Sequence, residues 1–150
     1  STLHTNDSPS TITRLKDMGV PTFLITATVE AILAQRLVRR VCVACKEEVP
    51  ASEDLLSELG MKITDVAGRR FFRGRGCETC NNTGYKGRIG LHELLIADEA
   101  IKKLVQERAR VAEIFAAAVE TGMRTLKMDG MEKIMLGMTD LKMVRSVCIK

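Results

Sequence analysis

Tryptophan is absent from this 150-residue chain. One tyrosine and four phenylalanines are its only aromatics, and proline occurs three times. With aromatics at 3% and hydrophobic residues at 45%, a core has to be built from Leu, Ile, Val, Ala and Met. So few aromatic rings argue against a protein that stacks the bases of single-stranded nucleic acid. A net charge of +4 is too mild to favour strong duplex binding. No apolar run reaches the roughly 18 residues of a membrane span, and the first residues lack the basic-then-apolar pattern of a signal peptide. There is no G-x-x-x-x-G-K-[ST] phosphate loop, no H-E-x-x-H and no paired carboxylates that would invite a hydrolase reading. The length allows one ordinary domain or two or three small ones. The abrupt opening at Ser1 reads as the start of a piece cut from a longer chain.

Cysteine is also scarce, yet it is concentrated. Four of the five cysteines form two C-x-x-C pairs, Cys42/Cys45 and Cys77/Cys80, separated by 31 residues. A disulfide framework needs an oxidising compartment and usually a smaller chain denser in cysteine. A redox C-x-x-C usually occurs once, beside a βαβ pattern. Idle or simply buried thiols are the plain alternative. The favoured reading is zinc: each pair offers two thiolates from one tight turn, and two turns close a tetrahedral shell with no position left for water. Such a site is structural and not catalytic. Bound as thiolates, the four cysteines and one zinc would lower the net charge of +4 by about 2. The spacing is longer than the common ribbon spacing of about 15 to 20, which leaves room for a short helix in "SEDLLSELGM". There Ser52 is a natural N-cap, Leu55, Leu56 and Leu59 form an apolar face, and Gly60 is a stop. After Cys80, the residues Asn81, Asn82, Gly84 and Gly87 tolerate the positive φ angles that turns around a metal demand. Cys148, between Val147 and Ile149, reads as an ordinary core cysteine.

Elsewhere the pattern is mainly helical. Residues 8–18 suit a helix with Ser8 as N-cap, Pro9 in the first turn, Ile12, Leu15 and Met18 on one face, and Gly19 as stop. Residues 22–40 are apolar on nearly all sides and read as a longer helix that should be buried against a sheet lying outside the chain. "RIGLHELLI" at 88–96 suits a buried strand, with His92 as a packing residue. Helices follow at about 99–109 (capped by Asp98), 111–121 and 125–136, and a last one is capped by Thr139 or Asp140. They resemble a compact helical bundle. The methionines lie at helical spacing in the last third and read as core. Arg69, Arg70, Arg73, Arg75, Lys86 and Arg88 crowd the second cysteine pair with only Glu78 among them. This is either a solvated basic face or a contact surface for phosphate or an acidic partner. His4, among Thr2, Thr5, Asn6 and Asp7, is either a loop histidine or a group that meets a phosphate or its attacking water.

Taken together and in this order, these segments resemble the C-terminal end of the type II secretion and type IV pilus assembly ATPases of bacteria. "STLHTNDSPSTITRLKDMGV" resembles that family's His box and following helix, and "AILAQRLVRRVCVAC" its approach to the first cysteine pair. "CETCNNTGYKGRIGLHELL" resembles its second pair and next strand, and "GMRTLKMDGMEKIMLGMTDLKMVRSV" its closing helices. The resemblance implies an α-rich α+β chain in three parts. Residues 1–40 would end a RecA-like ATPase core, 41–88 would be a zinc-binding metal subdomain, and 89–150 a small helical C-terminal subdomain. It implies His4 as the His-box residue near the γ-phosphate. It implies Cys42, Cys45, Cys77 and Cys80 as ligands of a structural zinc. Arg36 matches a basic position in the "QRL" motif, with no role assigned. The parent would be a cytoplasmic homo-hexamer that uses ATP and Mg and acts on an inner-membrane platform protein, peripheral to that membrane through its partners. The phosphate loop and Mg ligands would lie upstream, so these residues alone are expected to be inactive. Two other readings are kept: a zinc-ribbon nucleic-acid-binding module with its arginines on phosphates, and a chaperone-type cysteine domain.

Overall fold

The computed structural model of the protein describes residues 1–60 and 68–148, apart from the side chain of Leu59. It mixes helix and sheet. Helix α1 (Ser8–Asp17) is followed by α2 (Thr22–Thr28), strand β1 (Ala31–Val41), β2 (Lys46–Val49), α3 (Glu53–Leu59), β3 (Phe71–Gly74) and β4 (Tyr85–Ile96). Four helices complete the chain: α4 (Glu99–Gln106), α5 (Val111–Glu120), α6 (Leu126–Met135) and α7 (Leu141–Val147). The described strands form two two-stranded sheets, β1 with β4 and β2 with β3.

The long helix expected over 22–40 is not formed. Only Thr22–Thr28 is helical, and the chain then extends into β1. Apolarity on all sides does not distinguish a buried helix from a strand, and pairing with β4 decides for the strand. Thr26, Thr28 and Val29 are β-branched, which weakens a helix at that point. From 31 to 38 the exposed and less exposed residues then alternate strictly, with Val38 fully inside. The sheet this segment was expected to need is one it helps to build. Backbone bonds from Ala97 N–H to Glu30 O and from Cys42 N–H to Gly84 O, both 2.9 Å, show β1 and β4 to be antiparallel. Between those bonds β4 uses one residue more than β1. Gly87, within β4, sits at φ +79°.

β4 begins three residues earlier than expected and is buried on one face only. Leu91, Glu93 and Leu95 are inside, while His92, Leu94 and Ile96 are exposed. His92 is therefore no packing residue; its Nε2 lies 3.2 Å from Gln35 Nε2 on the exposed side. The N-cap of α1 is Asp7 and not Ser8, because the Asp7 carboxylate accepts the Ser10 N–H at 2.8 Å. Met18, expected on the buried face of α1, is exposed at the helix end, and Gly19 at φ +83° stops the helix. Phe115, expected on the inner face of α5, is also partly exposed. Two caps are as the sequence predicts, Ser52 accepting Leu55 N–H and Asp98 accepting Ile101 N–H, and of the two candidates Thr139 and Asp140 it is Asp140 that accepts Met143 N–H. In the apolar face expected of Leu55, Leu56 and Leu59, the first two are buried, and the Leu59 side chain lies outside the described residues.

By internal contacts the chain divides into two units: Ser1–Gln35 with His92–Leu126, and Arg36–Leu91 with Lys127–Lys150. The first unit is built on an apolar core of Ile12, Ile25, Leu95, Ile101, Val105, Ile114, Ala118 and Met123. The second unit contains the cysteines. There α6 approaches α7 at Gly130, where a Cβ would meet Val144 Cγ1 at 2.6 Å. Arg145 bridges Glu58 and Asp54 of α3 at 3.2 and 3.3 Å, and Lys127 also pairs with Glu58.

Candidate metal centre

Cys42 follows the end of β1, and Cys45 precedes β2. The turn between them is closed by Cys45 N–H donating to Cys42 O at 3.3 Å. The second pair repeats this device. Cys80 N–H donates to Cys77 O at 3.2 Å through a short 3-10 turn, and Asn82 N–H donates to the same carbonyl at 2.8 Å. Asn81 and Asn82 sit at φ +52° and +58°, the left-handed region that Asn enters more readily than most residues. They reverse the chain so that Thr83 Oγ1 donates to Cys80 O at 2.6 Å and β4 can begin. The two turns are bound to each other by Cys42 N–H to Gly84 O and by Arg75 N–H to Cys45 O at 3.0 Å. Gly74 and Gly84 meet there backbone to backbone. A Cβ on Gly74 would lie 1.9 Å from Gly84 O, so no other residue fits.

This scaffold brings the four sulfurs together. The Sγ atoms of Cys42, Cys45, Cys77 and Cys80 all lie within 4.8 Å of one another. Cys42–Cys77 measures 4.0 Å, Cys45–Cys80 3.9 Å and Cys77–Cys80 3.8 Å. A tetrahedron with metal–sulfur bonds of about 2.3 Å has edges of about 3.8 Å. The donor set therefore fits a four-coordinate soft ion and fills its shell. Cys42, Cys45 and Cys80 are buried and Cys77 half-buried. Three backbone N–H groups point at the sulfurs: Gly76 to Cys45 at 3.2 Å, and Cys77 and Gly84 to Cys80 at 3.3 Å each. Such donors stabilise thiolates and fix their direction toward a metal. Burial opposes ionisation of Cys80, but the N–H groups of Cys77 and Gly84 and the Cys77 and Cys45 thiols outweigh it and bring the group down to about 6. Burial instead pushes Cys45 up to about 11, against the Gly76 N–H, with the neighbouring thiols adding to the rise. Cys148 takes no part in the cluster. It is half-buried at the end of α7 and not a core residue.

The basic cluster beside the second pair is partly neutralised from across a sheet. β2 and β3 are antiparallel with Glu47 opposite Arg73, and that pair closes to 2.7 Å. Arg70 lies 3.8 Å from Glu48. The acids come from a sequence-distant strand, so counting charges along 69–88 missed them. Arg75, Lys86 and Arg88 are exposed. Arg36 is half-buried on β1. His4 is exposed in the loop before α1, where Asp7 and Thr5 are tied to the helix: Thr5 Oγ1 lies 2.7 Å from Thr11 Oγ1. One residue with a built environment escaped the sequence reading. Glu93, 2% exposed, occupies the apolar face of β4. Its signal was legible, since period-two alternation in "LHELL" puts a glutamate between Leu91 and Leu95.

Comparison with known proteins agrees with the resemblance read from the sequence. The family described as "Type II/IV secretion system protein" matches residues 1–146. The chain is 45% identical over 144 residues to the type IV pilus assembly ATPase PilB of Thermus thermophilus, covering 96% of this chain and 16% of that protein. It is 41% identical over 145 residues to PilB of Myxococcus xanthus, covering 96% of this chain and 26% of that one. It is 37% identical over 147 residues to the type II secretion system protein E of Aeromonas hydrophila, covering 98% and 29%. The chain thus spans less than a third of the length of each of these relatives. The chain belongs to the type II/IV secretion system protein family.

Proposed function

We propose that this chain is the C-terminal part of a hexameric motor ATPase that powers type IV pilus assembly or type II protein secretion. The observation that carries this reading is the family match over residues 1–146, with relatives named as pilus assembly ATPases and a secretion protein. In it, residues 1–40 end a RecA-like core with His4 on the phosphate side of the nucleotide. Residues 41–88 form a metal subdomain, and 89–150 a helical one. The contact units group these segments differently, since 1–35 pack with 92–126. Cys42, Cys45, Cys77 and Cys80 hold a structural zinc; three sulfur separations of 3.8 to 4.0 Å, with all four sulfurs within 4.8 Å of one another, support that assignment. The ion supplies folding free energy to a region with short strands, and its closed shell leaves it no part in the chemistry. No described helix is long and apolar enough to cross a membrane. The reading places the parent in the cytoplasm, peripheral to the inner membrane, passing its motion to a platform protein there.

These residues hold no phosphate loop, so ATP and Mg would be gripped by the rest of the parent. The test is ATP hydrolysis by the whole protein and by residues 1–150 alone. Turnover by the whole protein, a large but measurable fall in kcat in His4→Ala, and none from residues 1–150 are the expected results. Hydrolysis by residues 1–150 at the rate of the whole protein contradicts the reading.

A further inference from the structure

We infer that Glu93 is a positioning residue that sets the place of the His4-bearing loop. This rests on the reading of that loop as part of a nucleotide site. The Glu93 carboxylate is buried, and both of its oxygens are used. Oε1 accepts the Ser8 N–H at 2.8 Å and Oε2 accepts the Leu126 N–H at 3.2 Å. Ser8 Oγ adds a bond to the Glu93 carbonyl at 3.0 Å. Ser8 and Leu126 are the first residues of α1 and α6. The first amides of a helix lack intrahelical partners and usually turn to water or a capping side chain. Here one carboxylate from a strand serves two such starts, helped by the positive end of each helix.

A leucine between Leu91 and Leu95 would fill the same face without the desolvation penalty of a buried charge. What the carboxylate adds is direction. It fixes where α1 begins, and the residues just before that point are His4–Asp7. From Glu93 the bonds run through Ser8 to the helix, and from the helix back to the loop through Asp7 with Ser10 N–H and Thr5 with Thr11. His4 stands exposed at the end of this series. A shift of α1 along its axis would therefore move His4 with it, and about 1 Å of misplacement can cost on the order of 100-fold in rate.

The test uses the full-length protein that carries this chain, with His4→Ala, Glu93→Gln and the double variant. Glu93→Gln keeps one acceptor and sets an amide NH2 against the other helix start. Its kcat should fall about 10-fold to 100-fold with KM for ATP unchanged. The double variant should be no slower than His4→Ala alone, since groups acting as a unit are not additive. A purely structural role would make the two losses multiply, and that result overturns the inference. Full kcat in Glu93→Gln overturns it as well. Unchanged turnover in His4→Ala overturns the reading of the loop, and the inference with it. Hydrogen exchange on the unsubstituted protein gives a check that needs no variant. The Ser8 and Leu126 amides should be protected although they start helices, and free exchange at both contradicts the geometry.

Discussion

The unit around Ile12 and Ile114 and the cysteine module are held by different physics. The first has eight buried apolar side chains from helices and strand in one cluster. In the second, the thiols of Cys42, Cys45 and Cys80 form a cluster of their own, with Cys77 against them. The paired strands next to it, β2 and β3, have only four residues each, and their cross-strand contacts include exposed Arg–Glu pairs. Exposed ion pairs contribute about 0 to 1 kcal/mol each. On the proposed reading, a metal would stand in for what short strands and tight turns cannot bury, its ligand bonds replacing buried area.

Cys80→Ser should separate the two regions furthest. It removes one proposed ligand and two accepted N–H bonds. Structural zinc sites supply on the order of 10 kcal/mol of apparent folding free energy, so amides of 46–49 and 71–74 should lose exchange protection. Ile114 methyl signals should keep their native shifts; their collapse would mean that the two regions do not differ as described. Ile114→Ala is the reverse test. Its side chain is fully buried, and the truncation should cost about 2 to 5 kcal/mol by denaturant titration while bound metal per chain stays unchanged.

Gly130→Ala sharpens the picture by probing the apolar part of the second unit. Its new Cβ would press on Val144, and overpacking of this kind costs about 1 to 3 kcal/mol. A stability gain, as intrinsic helix propensity alone would give, contradicts the close approach of α6 and α7. The smallest effect concerns pH. The bonds from Lys127 and Arg145 outweigh burial and hold Glu58 below its ordinary value of 4.5. A carboxylate lowered on folding adds stability above its unfolded value and loses it as pH falls through the folded value. Thermal melts of Glu58→Gln should therefore match the parent chain more closely as the pH drops below about 4.5. A difference that stays constant across that range would assign the effect to packing.

Much of the site was legible because its signals are local. Two C-x-x-C pairs specify two turns, and the run Asn81-Asn82-x-Gly84 specifies the reversal after the second. Caps at Ser52, Asp98 and Asp140 were legible for the same reason: a cap is decided within four residues. What escaped depends on partners far along the chain. The 22–40 segment looks helical by composition, and its alternation becomes decisive only once β4 is there to pair with it. Arg73 looks unpaired until β2 places Glu47 opposite it. Glu93 breaks the apolar pattern of β4 for two helix starts that lie 85 and 33 residues away.

The central claim is that Cys42, Cys45, Cys77 and Cys80 form a closed structural metal site. Metal content per chain, with thermal melting before and after a strong chelator, tests it most directly. About one zinc per chain and loss of the cysteine module's transition on chelation are expected. Metal-free protein with four freely titrating thiols and an unchanged melt would contradict it.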